Sequence, residues 1–289
     1  MLVRTRHHDT SAPMPDVPGP LPVGVEVLTL AQLRDRGHGS ERPVRSGLHH
    51  LLTLSSGAMW HSVDFTDYAL KPGSWLWARP GQVQQWTGLE GAEGTLVRFD
   101  SGFLDPDTAI GVCADDPHAP VLRNPSAEDH AILRVAASQL QWEFRATEGL
   151  PLDVRLQVLR HLLAVLLLRI AALPSDGGPG PEPSGLYLAF RDAVERDFAA
   201  SRRLSDYAAA LACSPRTLSR STLAVVGIPA KEFIDRRVVL EAKRLLACSD
   251  LSAARIGARL GFSSATNFSK FFCQRTGMTP GGFRESMPH

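Results

Sequence analysis

The apolar positions of this chain change their spacing along its length, and each change marks a new kind of element. From residue 23 to about residue 103 they come in short runs broken by Gly and Pro. The runs are Leu48 to Leu54, Trp60 to Phe65, Tyr68 to Leu70, Ser74 to Ala78, Val83 to Trp86 and Gly94 to Phe99. Pro72-Gly73 and Pro80-Gly81 are the clearest turns between them. Many short strands at this spacing predict a small antiparallel barrel or sandwich. Strand alternation places Trp75 and Trp77 on one face.

Residues 104–126 read as loop, with DPD and DDP turn signals, and the spacing then becomes helical. Leu133, Ala136, Leu140 and Phe144 mark one stripe, which Glu148-Gly149-Leu150-Pro151 ends. A second helix carries Leu156, Leu159, Leu163, Leu166, Ile170 and Leu173, alternating three and four apart, with Val158, Leu162 and Val165 beside them. A helix apolar on more than one side needs two partners. The pattern therefore predicts a homodimer seam at Leu156, Leu159, Leu163, Leu166 and Ile170, against the competing expectation of burial within one chain.

Pro174 to Pro183, rich in Pro and Gly, reads as a linker. Beyond it, from about Leu186, the pattern is helical to the end, and one sub-pattern occurs twice. Asp206 to Leu211 form a short helix, Ala212-Cys213 a turn, and Ser214 an N-cap with Pro215 at the first helical position. Ser252 to Leu260, the turn Gly261-Phe262 and Ser263 as cap repeat the plan. The second helix of each unit turns one apolar residue inward, Leu218 or Phe268. Arg216, Thr217, Ser219 and Arg220 in one, and Ala265, Thr266, Asn267, Ser269 and Lys270 in the other, remain outside. Helices of this kind fit the DNA major groove. The helix between the units runs from near Pro229 to near Ala247, roughly 28 Å at 1.5 Å per residue. That is slightly less than the ~34 Å of one DNA turn, so one chain can address two successive major grooves.

Charge sharpens this picture. Residues 186–289 hold 16 Lys and Arg against 9 Asp and Glu, a net +7, whereas residues 1–185 hold 15 against 21, a net −6. A basic second half suits a polyanion, and an acidic first half should stay off it. Cys113, Cys213, Cys248 and Cys273 follow no metal or disulfide spacing and read as reduced thiols. The N-terminal stretch has no apolar core of a signal peptide, and the apolar run Leu162 to Leu168 is too short to span a bilayer. The expectation is a cytoplasmic protein without a membrane partner.

The duplicated motif, the stretch EAKRLLACSDLSAARIGARLGF and the closing TGMTPGGFR resemble the DNA-binding domain of AraC/XylS-type transcriptional regulators. The resemblance covers about the last hundred residues. It implies base contacts at Arg216, Ser219 and Arg220 of the first unit, and at Ala265, Thr266 and Lys270 of the second. It also implies double-stranded DNA as partner, an activator role, and RNA polymerase as a further partner. Thr222-Leu223 departs from the family, which usually has an aromatic and a basic residue there. Ala212 stands where Gly is frequent, and Gly257 where Ala is usual.

The run from His49 to Trp86, with LKPG and RPGQV, resembles the cupin-type sensor domain that precedes many such DNA-binding domains. Cupin enzymes hold a metal with clustered histidines, one just after the second Pro-Gly. Here that place is Gln84, a poor ligand for a transition metal, so no metal and no cofactor are expected. A metal-free barrel can instead hold a small-molecule effector in its mouth. The candidates are His49, His61, Trp75, Trp77, Gln84 and Trp86.

The expected fold is α+β. Residues 1–22 form a flexible start, 23–126 a cupin-like antiparallel sensor barrel, 127–173 a helical pair for dimerisation and 174–185 the linker. Residues 186–289 form an all-α domain of two helix–turn–helix units joined by a long helix. The function expected is a DNA-binding transcriptional regulator, not an enzyme. A cupin-type metalloenzyme with an accessory helical domain is the alternative, and a binding module with a degenerate reader is a third class. No nucleophile elbow, Walker loop or dinucleotide fingerprint supports an enzyme.

Overall fold

The computed structural model describes residues 23–37, 42–146, 149–174 and 183–288. The expected start at 1–22 and most of the expected linker lie outside these. In chain order the first domain contains β1 (Val25–Thr29), α1 (Leu30–Asp35), β2 (Val44–Arg45), β3 (His49–Ser56), β4 (Met59–Val63) and β5 (Thr66–Leu70). Then follow β6 (Trp75–Ala78), β7 (Val83–Thr87), β8 (Glu93–Phe99), α2 (Pro106–Gly111) and β9 (Leu122–Arg123). The strands form two antiparallel sheets, ordered β1-β8-β3-β6-β9 and β2-β7-β4-β5. The β architecture is the expected one, but the two sheets stay separate and do not close into a barrel.

Alternation decides what each face of the larger sheet does. Leu52, Leu54, Leu76 and Leu96 point between the sheets, where they meet Met59, Val63 and Trp86 of the smaller one. The opposite face carries Val25, Val27, Leu51, Trp75, Trp77, Val97 and Phe99. Two antiparallel helices cover it, α3 (Ala127–Arg145) and α4 (Leu152–Ala171). Ser126 caps α3, its Oγ accepting from the Asp129 amide, with Glu128 and Asp129 in the first turn where the helix dipole favours anions.

The seam expected to join two chains is spent inside one. Leu159, Leu163, Leu166 and Ile170 are at most 2% exposed, and Leu156 packs against the same core. At roughly 1.5–3 kcal/mol for each buried side chain, covering the sheet outweighs leaving this face for a partner. The competing expectation, burial within one chain, is the one realised. A different stripe of α4 faces outward: Val154, His161, Val165, Leu168 and Ala172 are exposed and Val158 is half-buried.

The second domain is helical: α5 (Gly185–Asp197), α6 (Leu204–Ala210), α7 (Pro215–Val226), α8 (Ala230–Cys248), α9 (Ala253–Arg259), α10 (Ala265–Thr276) and α11 (Pro280–Glu285). The 19-residue α8 serves two cores in turn. Its first half gives Ala230 and Ile234 to a cluster with Phe190, Val194, Tyr207 and Leu218. Its second half gives Val238, Ala242 and Leu246 to a cluster with Ile256, Phe268, Phe272 and Phe283. The end of α8 is closed from outside. Arg284 donates to the carbonyls of Leu246, Ser249 and Leu251 at 3.2, 3.2 and 2.6 Å, which satisfies acceptors that a helix C-terminus leaves open.

Candidate nucleic-acid interface

Each helix–turn–helix unit is fixed by a left-handed residue in its turn. In the first, Ala212 has φ 49° and the Cys213 amide donates back to Ala208 at 2.9 Å. In the second, Gly261 has φ 72° and the Phe262 amide donates to Gly257 at the same distance. Ser214 then caps α7, its Oγ accepting from the Thr217 amide at 3.1 Å, with Pro215 in the first turn. The second turn is one residue longer. Its cap is therefore Ser264, which accepts from the Asn267 amide at 3.2 Å, and not Ser263 as the sequence suggested. Ser263 instead accepts from the Asn267 side-chain amide at 3.0 Å.

With the caps set, the recognition helices fall into register. Leu218 and Phe268 are fully buried, as their positions predicted. Arg216 and Arg220 on α7, and Ala265, Thr266, Asn267 and Lys270 on α10, are exposed. Thr217 and Ser219 are half-buried. The Thr217 hydroxyl lies 2.8 Å from Ser214 Oγ, and Ser219 Oγ accepts from the Ala230 amide at 3.4 Å, so both help to hold α7 in place. Among the described residues Arg216, Arg220 and Lys270 are in no ion pair. Other cations of this domain are engaged: Lys231 and Arg275 both hold the buried Asp235, and Arg236 binds Glu232 at 2.6 Å. Three uncommitted cations on two outward helix faces, one at each end of α8, can meet base edges and phosphates.

Thr222, where the resembled family usually has an aromatic residue, is completely buried and donates its hydroxyl to the Leu218 carbonyl at 2.9 Å. Leu223 is half exposed at 52%. Gly257 has a packing reason: a Cβ there would lie 2.9 Å from Cβ of Phe268. Arg202 joins the two units, its guanidinium 3.4 Å from the Phe262 ring centroid and donating to the Gly261 carbonyl at 3.3 Å.

The six effector candidates in the first domain do not line one site. Trp75 and Trp77 do share a face, but it is the one beneath α3 and α4. His49 lies there too, stacked on Phe99 at 4.5 Å; its Nδ1 accepts from Trp77 Nε1 at 3.3 Å and its Nε2 meets Ser101 Oγ at 3.0 Å. Because Nδ1 accepts from the indole, the proton sits on Nε2, and His49 cannot act as base toward Ser101. His61, Gln84 and Trp86 point between the sheets. His61 packs on Trp86 at 4.3 Å, and its Nε2 is 3.3 Å from Gln84 Oε1. Two members of this inner group were missed. His50 follows Leu52 by alternation, and Arg98 is ion-paired with Glu26. Burial pushes His61 down to about 4, and burial with the nearby Arg98 pushes His50 down to about 3, so both are neutral at pH 7. Among the described residues, His50 Nδ1, His61 Nδ1 and Gln84 Nε2 have no hydrogen-bond partner.

A family model described as a helix–turn–helix domain matches residues 207–286. The regulatory protein PocR of Salmonella typhimurium is 32% identical over 110 residues, covering 38% of this chain and 36% of its own length. The transcriptional activator RhaS of Escherichia coli is 27% identical over 160 residues, covering 54% and 56%. The chain thus spans about half or less of the length of these curated relatives. Among solved structures, ToxT of Vibrio cholerae aligns over 92% of this chain and 98% of its own, at 11% identity and a TM-score of 0.43. The C-terminal third of the chain carries an AraC-type helix–turn–helix domain.

Proposed function

We propose that this chain, with its AraC-type reader, is a sequence-specific DNA-binding transcriptional regulator acting in the cytoplasm. One observation carries the reading: two recognition helices sit at the ends of a single 19-residue helix, with Arg216, Arg220 and Lys270 exposed and, among the described residues, in no ion pair. Arg216 and Arg220 address guanine through paired donors, each contact worth roughly 1–3 kcal/mol of discrimination. Thr266 and Asn267 address the next groove and Lys270 its phosphates, and the helix N-termini at Ser214 and Ser264 accept phosphates as well. The test is binding to the DNA upstream of its own gene and to a shuffled control across a salt series. A preference of about 10³ or more, falling steeply with salt, is expected. No binding to any DNA by the folded protein ends the reading.

The protein is proposed to act as a homodimer through the outward stripe of α4. Val154, Val158, His161, Val165, Leu168 and Ala172 repeat at four- and three-residue steps and are symmetric about Leu163. An antiparallel copy therefore sets Val154 against Ala172, Val158 against Leu168 and His161 against Val165, as a twofold interface requires. Val165→Arg is expected to leave a monomer in sedimentation; a persisting dimer removes this surface. An activator role, with RNA polymerase as partner, is proposed by analogy with RhaS, which is described as an activator. An effector is best placed between the sheets, where His50, His61 and Gln84 keep unspent hydrogen-bonding groups. Ligand-induced rises in melting temperature that vanish in His61→Phe would support it.

A further inference from the structure

Two consecutive residues at the tip of the β4–β5 hairpin, Asp64 and Phe65, hold positive φ angles of 51° and 65°. A two-residue hairpin turn with both angles positive normally takes Asn-Gly or Asp-Gly. Asp tolerates this region, but a phenylalanine in it is a genuine outlier. Such a residue persists only where its surroundings over-determine it, most often at a clamp or switch.

The other domain supplies the partners of the Phe65 ring and half of those of the Asp64 carboxylate. The Phe65 ring meets Phe283 of α11 edge-on at 5.5 Å, and the Lys243 ammonium lies 5.6 and 5.7 Å from the two rings. Asp64 is shared evenly. Val83 N and Gln82 Nε2 donate to it from its own domain at 3.1 and 3.0 Å. Arg244 of α8 donates from the other side through Nε and Nη2 at 2.8 and 2.7 Å. Arg45 of β2 extends the contact, donating to both oxygens of Glu241 on α8 at 2.7 and 3.2 Å.

We propose that the Asp64–Phe65 hairpin tip is a latch that holds the DNA-reading domain on the sensor domain. Its backbone conformation is kept because both side chains are used by α8 and α11. No reader residue of the latch lies on α7 or α10, so the recognition faces stay exposed while it is closed. The latch therefore fixes where the reader stands relative to the sensor, and releasing it frees that placement without touching the base-contacting side chains.

Phe65→Gly separates this from a local accident of the turn. Glycine adopts φ 65° without steric cost, so the substitution relieves the hairpin and removes the ring that docks. The experiment is a distance measurement between spin labels on the exposed Cys113 and Cys273 of the full-length chain, with Cys213 and Cys248 replaced by Ala. The unsubstituted latch should give one narrow distance peak. Phe65→Gly and, from the reader side, Arg244→Ala should each replace it with a broad distribution, while circular dichroism and the sensor's melting temperature in Phe65→Gly do not fall. A narrow peak that survives both substitutions, or a distribution already broad before them, overturns the proposal.

Discussion

In the first helix–turn–helix unit the recognition helix turns Leu218 and Thr222 inward; in the second, fifty residues later, the same places hold Phe268 and Phe272. The turn residues differ in the opposite sense, Ala208 and Ala212 in the first unit against Gly257 and Gly261 in the second. The two differences are linked. A phenyl ring at 268 has room because the facing helix has given up a Cβ at 257. The outward faces diverge as well, with Arg216 and Arg220 in one unit and Thr266 and Lys270 in the other. One backbone plan thus supports two divisions of labour. The first unit has a smaller core behind two exposed arginines, and the second a larger aromatic core behind shorter polar groups.

The strongest way to test that division is to empty the second core. Phe268 packs on Phe262 at 5.4 Å and on Phe272 at 6.0 Å, and its removal leaves a cavity among rings. Phe268→Ala should cost about 3–5 kcal/mol in denaturant unfolding of the full chain. Leu218→Ala removes a smaller side chain, from a cluster with Phe190, Tyr207 and Ile234, and should cost less. The reverse order would show that the aromatic cluster is not the firmer of the two.

Acidification isolates the reader for such comparisons. Among residues 186–288 there is no histidine, whereas the sensor buries His50 and His61 as neutral groups, pushed to about 3 and about 4 by burial. Their folded pKa values lie below the ordinary 6.5, so the unfolded sensor binds protons first. Sensor stability should then fall as pH drops from 6.5 toward 4, by about 1.4 kcal/mol per pH unit for each histidine. Glu195 and Glu241 stay ionised well below the usual carboxylate range. Burial alone would raise them, but His118 and Arg237 hold Glu195 down, and Arg45, Arg237 and Arg244 hold Glu241 down. Their contribution is lost only below about pH 4.5. Calorimetry at pH 5 should find the sensor transition lowered and the reader's in place; equal lowering of both would refute the assignment.

The link between residues 257 and 268 can itself be broken. Gly257→Ala forces a Cβ to 2.9 Å from Phe268 and should cost about 1–3 kcal/mol. Adding Phe268→Leu, which makes the second unit like the first, should recover part of that loss. Strict additivity in the double-mutant cycle would mean that the two positions are independent.

What could be read in advance follows from how far each signal reaches along the chain. The two units were legible because Ser214-Pro215, Ser252 and Gly261 act on their own turns, and because Leu218 and Phe268 sit at helical spacing from them. The cap of α10 was missed by one residue. Ser263 and Ser264 are equally able to cap, and only the extra residue of the turn decides between them. Helix α4 carries two interleaved apolar stripes, and its sequence does not say which one the sheet will cover. The same gap split the effector candidates: alternation paired Trp75 with Trp77, but their face was set by where α3 and α4 pack. The hairpin tip was hidden altogether. Asp64 and Phe65 read as the end of a strand because no Gly or Asn marks a turn whose conformation is held from the other domain.

On DNA the two units should differ in kind. Arg220→Ala removes paired donors from one base position and should relax the preference there by roughly 1–3 kcal/mol. Lys270→Ala should weaken binding to all sequences alike and lower the salt slope by about one. Binding titrations over a set of single-base variants separate these outcomes, and a sequence-selective loss in Lys270→Ala would reverse the roles given to the two helices.

The smallest effect lies in the turns. Ala212 and Gly261 occupy the same left-handed position, at φ 49° and 72°. An L-residue there costs about 1–2 kcal/mol, and a glycine returns roughly 0.5–1 of that through the greater freedom of its unfolded chain. Ala212→Gly should therefore stabilise the first unit by about 0.5 kcal/mol, a gain set by the balance of those two terms. Gly261→Ala should do the opposite and more, because its Cβ would also lie 2.5 Å from the Ala199 carbonyl oxygen. Matched denaturation curves of the two variants decide it. If Ala212→Gly destabilises, then the Ala212 methyl contributes more to the first unit than its backbone strain removes, and the turns differ because their packing differs.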